Sequence, residues 1–222
     1  MAENTALNMR IAGKGTVPPG EYGKVSISGS GRLFGEVRCN EFSASGASKG
    51  ESITCAEHFK VSGTSSFSGQ VKAKDVRTAG SFSCNGALVA EEQLRVSGSL
   101  RVGGDLQATD VRIAGGLQCG GTLRAARIAL QADKRMSLGS ITGGNVHIRR
   151  KTVSIFFKRR TTVASAIEGD ELDLEYVTAP QATGRTVIIG KGCRIDLVQY
   201  SEKVEIAPKA KIGKVEKIEQ LG

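Results

Sequence analysis

Two histidines, five cysteines and a scatter of serines are the residues of this 222-residue chain best suited to chemistry, and their spacing argues against it. His58 and His147 lie in different parts of the chain, with no neighbour at the spacing of a metal site. Cys39, Cys55, Cys84, Cys119 and Cys193 contain no CxxC pair and leave one thiol over in any pairing, which argues against a disulfide framework. No serine occupies a G-x-S-x-G elbow. The run IIGKGC at 188–193 lacks the Lys-Ser/Thr ending with which a phosphate loop holds phosphate and metal, so it reads as a bend. No catalytic residue, metal or cofactor is expected, and the chain reads as non-enzymatic.

Binding is better represented. The segment RRKTVSIFFKRR places Arg149, Arg150, Lys151, Lys158, Arg159 and Arg160 around Phe156 and Phe157. Anionic lipid attracts such a cluster by about 1 kcal/mol per basic residue, with the phenylalanines entering the interface. Nucleic acid, a strand with alternating faces and a subunit contact are the other readings of the same residues. A net charge of +9 favours anionic partners in general without identifying one.

These residues need a frame, and composition restricts it. Glycine is abundant at 29, tryptophan is absent and aromatics make up 5%, so the core is expected to be thin and aliphatic. Hydrophobic residues reach 39% and are spread along the chain, which excludes long disorder. The start MAENTALNMRIAGKG lacks a basic and apolar leader, and no stretch approaches the roughly 20 apolar residues of a membrane span. The expected location is cytoplasmic, extending to the inner face of the membrane.

The frame itself is periodic. Val25, Phe42, Phe59, Val76, Leu94, Val111 and Ile128 recur at a step of about 17 residues, lengthened by one between Val76 and Leu94, and a constant period of this kind signals a solenoid. Four positions after the first six stand Gly29, Gly46, Gly63, Gly80, Gly98 and Gly115. Apolar columns fall two positions after the anchor (Ile27, Ala44, Val61, Thr78, Val96, Ile113) and twelve after it (Val37, Thr54, Val71, Leu88, Leu106, Leu123), each admitting a threonine. All lie at even offsets, the parity of one strand face. A looser column eight after the anchor places Cys84 and Cys119 inside.

About 17 residues divided among three small-residue corners leave about six per side, a short strand and a bend. Stacking such coils pairs each strand with its equivalent about 4.8 Å away and satisfies the backbone between coils. Outward, Lys60, Arg77, Arg95 and Arg112 form one column, with Glu41, Asp75 and Asp110 in the column two positions earlier on the same face. Asp75 is expected beside Arg77 and Asp110 beside Arg112. No aromatic column interleaves with this ladder, which disfavours nucleic acid as its partner.

The predicted fold is an all-β, right-handed parallel β-helix with about 17 residues per coil. A flexible tail is expected over 1–23, a first block over 24–145, a basic distorted segment over 146–165, a second block over 166–216 and a short tail over 217–222. The second block rests on Leu172, Ile189 and Ile206, which keep the period of the first, and on Leu138 and Ile155 in the same series. No end cap is visible: Val204, Ile206, Ile212 and Val215 continue the apolar pattern near the carboxy terminus and form the candidate end-to-end interface.

The units VSISGSG at 25–31, FKVSGTSSFSGQVKA at 59–73 and LRVSGSLRVGGDLQA at 94–108 resemble the bactofilins, polymer-forming bacterial cytoskeletal proteins. IEGDELDLEYV and VIIGKGCRIDLVQYSEKVEIAPKAKIG resemble a longer branch of that superfamily found in Gram-positive bacteria. The resemblance spans roughly positions 18–216. It implies a right-handed β-helix that polymerises with itself without nucleotide, in cell shape, envelope organisation or flagellar assembly. A passive scaffold at the membrane is the competing reading. A left-handed β-helix acyltransferase is a weaker one, since that enzyme class keeps a strict hexapeptide period and presents a catalytic histidine.

Overall fold

A computed structural model describes residues 7–150 and 162–219. They form no helix: the fold is all-β, with every paired strand parallel to its neighbours. The chain divides into two compact units, residues 1–108 and 109–222.

The first unit contains β1 (Met9–Ile11), β2 (Lys14–Val17), β3 (Gly20–Ile27), β4 (Ser30–Leu33), β5 (Glu36–Ala44), β6 (Ala47–Gly50), β7 (Ser52–Val61), β8 (Thr64–Phe67), β9 (Val71–Thr78), β10 (Ser81–Cys84) and β11 (Leu88–Val102). β1, β3, β5, β7, β9 and β11 pair in succession, with Val25 on Phe42, Phe42 on Phe59, Phe59 on Val76 and Val76 on Leu94. β2, β4, β6, β8 and β10 form a further side, with Ser30 on Ala47, Ala47 on Thr64 and Thr64 on Ser81. The result is a β-solenoid, in which groups that meet between adjacent coils are typically 17 apart in sequence, as Ser48 and Ser65 are. The coil begins earlier than expected, because Met9–Ile11, within the expected tail of 1–23, already pairs with Val25–Ile27.

The second unit holds most of β12 (Leu106–Cys119), then β13 (Leu123–Ala132), β14 (Met136–Leu138), β15 (Ser140–Arg150), β16 (Thr162–Val163), β17 (Ala166–Leu174), β18 (Val177–Ile189), β19 (Arg194–Ile206) and β20 (Lys211–Lys217). Ile128 stacks on Val146, Val146 on Leu172, Leu172 on Val187 and Val187 on Val204. The step from Val146 to Leu172 is much longer than an ordinary coil, and the next, from Leu172 to Val187, is shorter than one. The expected series Leu138, Ile155, Leu172 is therefore not a ladder: Leu138 pairs with Cys119, Leu172 with Val146 and Val187, and Ile155 lies outside the described residues. The expected block boundary at 145/146 also falls inside β15, which runs without a break from Ser140 to Arg150.

The inward columns differ from the sequence register on one side. Val37 stacks on Ile53, not Thr54, and Cys39 on Cys55, not Ala56, because an irregularity of the register lies between the Cys39–Cys55 and Glu41–His58 pairs. The slip exchanges Thr54 and Ala56 for Ile53 and Cys55 in the interior, as the alternating strand faces require. All five cysteines are free and buried.

The core is also less aliphatic than composition suggests. Phe42 and Phe59 stack at 4.9 Å and 15°, and Phe67 and Phe82 meet Phe59 at 5.7 and 5.3 Å. Each such pair adds about 0.5–1.5 kcal/mol beyond area burial. Gly50 sits in the Phe67 column, where a Cβ would approach the ring's Cδ1 to 2.8 Å, so its lack of a side chain makes room for the aromatic. Ser48 and Ser65 are buried in the neighbouring column and satisfy each other through a 2.5 Å hydroxyl hydrogen bond.

The glycine column four positions after the anchors has a different cause from positive φ, which within that column holds only at Gly98 (139°) and Gly115 (147°). A Cβ at Gly29, Gly46, Gly63 or Gly80 would fall closer than 3.0 Å to a carbonyl oxygen of the preceding coil. The coils approach too closely there for any side chain.

Candidate functional site: coil ends and cationic surfaces

The four residues of the expected end-to-end interface all lie on the last coil of the second unit. β20 covers only the first half of β19, pairing Arg194–Tyr200 with Lys211–Lys217. Beyond Tyr200, β19 pairs with β18 on one edge, Val187 on Val204 and Ile189 on Ile206, and with no strand on the other among the described residues. Ile212 rests on Ile195 and Val215 on Val198, and nothing follows them among the described residues. Val204 and Ile212 are half-buried, whereas Ile206 and Val215 are each 41% exposed. Charged pairs border this apolar edge: Lys203 with Glu205 at 2.6 Å, Arg185 with Glu202 at 3.7 Å, and Lys214 with Glu216. The Lys214 and Gln199 hydrogen bonds hold the Glu216 carboxyl below its ordinary range.

The first coil of the first unit is different. β1 and β2 pair with β3 and β4 and with no other strand among the described residues, so their outer backbone edges are open. Their inward side chains are covered: Ile11, Val17 and the neighbouring Tyr22 are all buried. Tyr22 reaches across the corner and donates its hydroxyl to the Pro18 carbonyl at 2.9 Å. An aromatic of β3 thus closes this corner.

The basic segment is described only at its first two residues. Lys151, Phe156, Phe157, Lys158, Arg159 and Arg160 lie outside the described residues. Arg149 contacts Asp173 at 2.6 Å and Glu175 at 3.4 Å, and its Nε–H donates to His147 Nε2 at 2.6 Å. Arginine cannot accept, so the geometry places the His147 proton on Nδ1, facing Asp173 Oδ2 at 3.1 Å. Arg150 lies over the Tyr176 ring at 4.3 Å from its centroid. Tyr176 holds φ at 54°, and Gly192 passes against its ring where a Cβ would clash. Both arginines are therefore engaged within the fold.

The outward charge columns divide between paired and unpaired. Lys24 meets Glu41 at 2.8 Å and holds its carboxyl below the ordinary range. Asp110 accepts from Arg112 at 3.1 Å, as expected, and also from Arg127 at 3.0 Å. Burial raises the Asp110 pKa, but the two guanidinium hydrogen bonds outweigh it and the net shift is downward. Asp75 turns to His58 at 3.4 Å instead of to Arg77. Lys60, Arg77 and Arg95 stack in register without an ion pair among the described residues. No cluster of three or more His, Cys, Asp or Glu among the described residues is arranged to hold a metal.

A further cationic surface has no counterpart among the motifs of the sequence. Lys14, Arg32 and Lys49 lie on β2, β4 and β6 around a shallow depression of about 530 Å³, with Phe34 at its rim. The clue is the R-x-F step at Arg32 and Phe34, whose shared parity puts both side chains on the outer face.

No protein-family model matches this chain, and no solved structure matches it. Among curated proteins it is similar to the uncharacterized protein YhbF of Bacillus subtilis (strain 168), with 33% identity over 78 residues. The match covers 35% of this chain and 33% of YhbF, about a third of each. No helix among the described residues is long and apolar enough to cross a membrane.

Proposed function

We propose that this protein is a non-enzymatic structural element of the bactofilin type, assembling with copies of itself without nucleotide into a filament or scaffold for the cell envelope or flagellar apparatus. The observation that carries the reading is the open edge of the last coil. There, backbone groups of β19 and β20 that are unpaired among the described residues border the exposed side chains of Ile206 and Val215. A strand edge of this kind gains hydrogen bonds and buries aliphatic area when another strand is added. The outer edges of β1 and β2, unpaired among the described residues, offer a second pairing surface. Membrane attachment through the basic segment belongs to the same reading and rests on Lys151, Phe156, Phe157, Lys158, Arg159 and Arg160, since Arg149 and Arg150 are engaged within the fold.

Electron microscopy and sedimentation velocity of the purified protein, without ATP or GTP, test assembly directly. Filaments or large oligomers are expected. Ile206→Arg places a charge on the apolar edge and should raise the concentration needed for assembly by roughly tenfold or more, the scale of an interface hot spot. Monodisperse monomer across salt and concentration overturns the proposal. Assembly that is indifferent to Ile206→Arg moves the interface elsewhere, and cellular function retained by a non-assembling variant favours the passive scaffold.

A further inference from the structure

The depression beside Phe34 has the composition of a site for a phosphate-bearing aromatic ligand. Lys14, Arg32 and Lys49 surround it, Thr16 and Ser30 add hydroxyls, and no carboxylate among the described residues lines it. Arg32 and Lys49 are direct register partners in adjacent strands, so their charges stand about 4.8 Å apart at the backbone. Like charges directly opposite one another are destabilising, and neither residue has an ion-pair partner among the described residues. Lys14 pairs with Ser30, two positions before Arg32, which places the third cation on the diagonal. Glu51 is the carboxylate nearest in sequence to Lys49, and it forms no ion pair among the described residues.

Phe34 supplies the second component. Its side chain is 43% exposed, and the Arg32 guanidinium lies 6.0 Å from the ring centroid. An aromatic face beside a row of cations is the arrangement that stacks a base while neutralising the adjoining phosphates. The outward positions of the next coils on this side are Thr64, Ser66, Ser81 and Ser83. Those hydroxyls suit a sugar-phosphate chain and do not suit insertion into a bilayer, which needs apolar side chains.

We propose that this face of the first unit binds single-stranded nucleic acid, with Phe34 stacking a base and Lys14, Arg32 and Lys49 contacting phosphates. It is separate from the Lys60, Arg77, Arg95 ladder, which has no exposed aromatic beside it among the described residues. Three phosphate contacts predict a slope of about −2 for log affinity against log salt on a single strand. Loss of one stacked base weakens binding roughly fivefold to hundredfold without changing that slope.

Fluorescence anisotropy of the full-length protein with a labelled oligothymidylate, titrated from about 50 to 200 mM salt, tests this. The expected result is a slope near −2, reduced to about −0.7 in the Arg32→Gln, Lys49→Gln variant and unchanged in Phe34→Ala despite its weaker binding. Lys60→Gln with Arg77→Gln should leave binding intact. Circular dichroism of each variant establishes that it is folded. No binding at low salt, equal loss from the Lys60, Arg77 pair, or an unchanged slope in the double glutamine variant overturns the proposal. Sedimentation with phosphatidylglycerol vesicles that depends on Phe34, in the absence of oligonucleotide binding, assigns the face to lipid and overturns it as well.

Discussion

Gly63→Ala isolates the contact that sets the spacing between coils in the first unit. A Cβ at residue 63 would lie 2.8 Å from the Ser45 carbonyl oxygen and 2.9 Å from the Gly46 carbonyl carbon, and nearer still to the Gly46 oxygen. All three obstacles are backbone, so no rotamer change relieves them. Restoring ordinary contact requires the two coils to separate locally by roughly 1 Å. The same Gly46 oxygen accepts the Thr64 N–H at 3.1 Å, and the Ser62 N–H reaches the Ala44 oxygen at 2.8 Å across the same gap. Losing or stretching two such bonds at about 1 kcal/mol each, with overpacking strain of about 1–3 kcal/mol, gives a destabilisation of roughly 3–5 kcal/mol. Gly13→Ala is the control, because a Cβ there meets nothing within 4 Å. Urea unfolding followed by circular dichroism should show a lower midpoint for Gly63→Ala and little change for Gly13→Ala. Equal midpoints for the two variants refute close coil approach as the reason for the glycine column.

Two further outcomes follow from the titratable groups. Asp110 is held below its ordinary pKa by Arg127 and Arg112 against the opposing effect of burial, so its contribution to stability is present above the unfolded carboxylate value near 4 and disappears as pH falls through the lower folded value. Asp110→Asn should therefore flatten the fall in stability below about pH 4, measured by denaturant midpoints across pH; an unaltered acid limb contradicts the assignment. The thiols of Cys84 and Cys193 are pushed up by burial, and that of Cys55 by its 3.4 Å contact with Cys39 together with burial. All five cysteines should react slowly with a thiol reagent in the native protein and fully in denaturant; rapid native labelling of any one shows local opening at that coil.

The periodic part of the fold is legible because the coil writes itself into even offsets and a fixed step. Val25, Phe42, Phe59, Val76 and Leu94 stack as their spacing requires. Legibility fails where chain length and spatial register separate. Ile53 and Cys55 displace Thr54 and Ala56 through a register slip that leaves no mark on the glycine column. The long step from Val146 to Leu172 makes Leu138 and Leu172 look related when they are not. Among site residues, Val204, Ile206, Ile212 and Val215 are readable as apolar positions that keep the strand alternation, and the structure places them on β19 and β20, beyond which no strand pairs among the described residues. The engagement of Arg149 is not, because its partner Asp173 comes from the next coil, 24 residues away in sequence, and Glu175 lies farther still.

The unequal steps around Val146, Leu172 and Val187 have a consequence for how such a chain can change. Hydrogen bonding fixes where each strand must arrive and leaves open how much chain is used to get there. A long coil and a short one follow each other here, and β17 still pairs with β15 on one edge and β18 on the other. The ladder thus runs in step from β15 to β17 to β18 although the sequence separation of its strands first lengthens and then shortens, so a coil of this kind can gain or lose residues without losing its pairing.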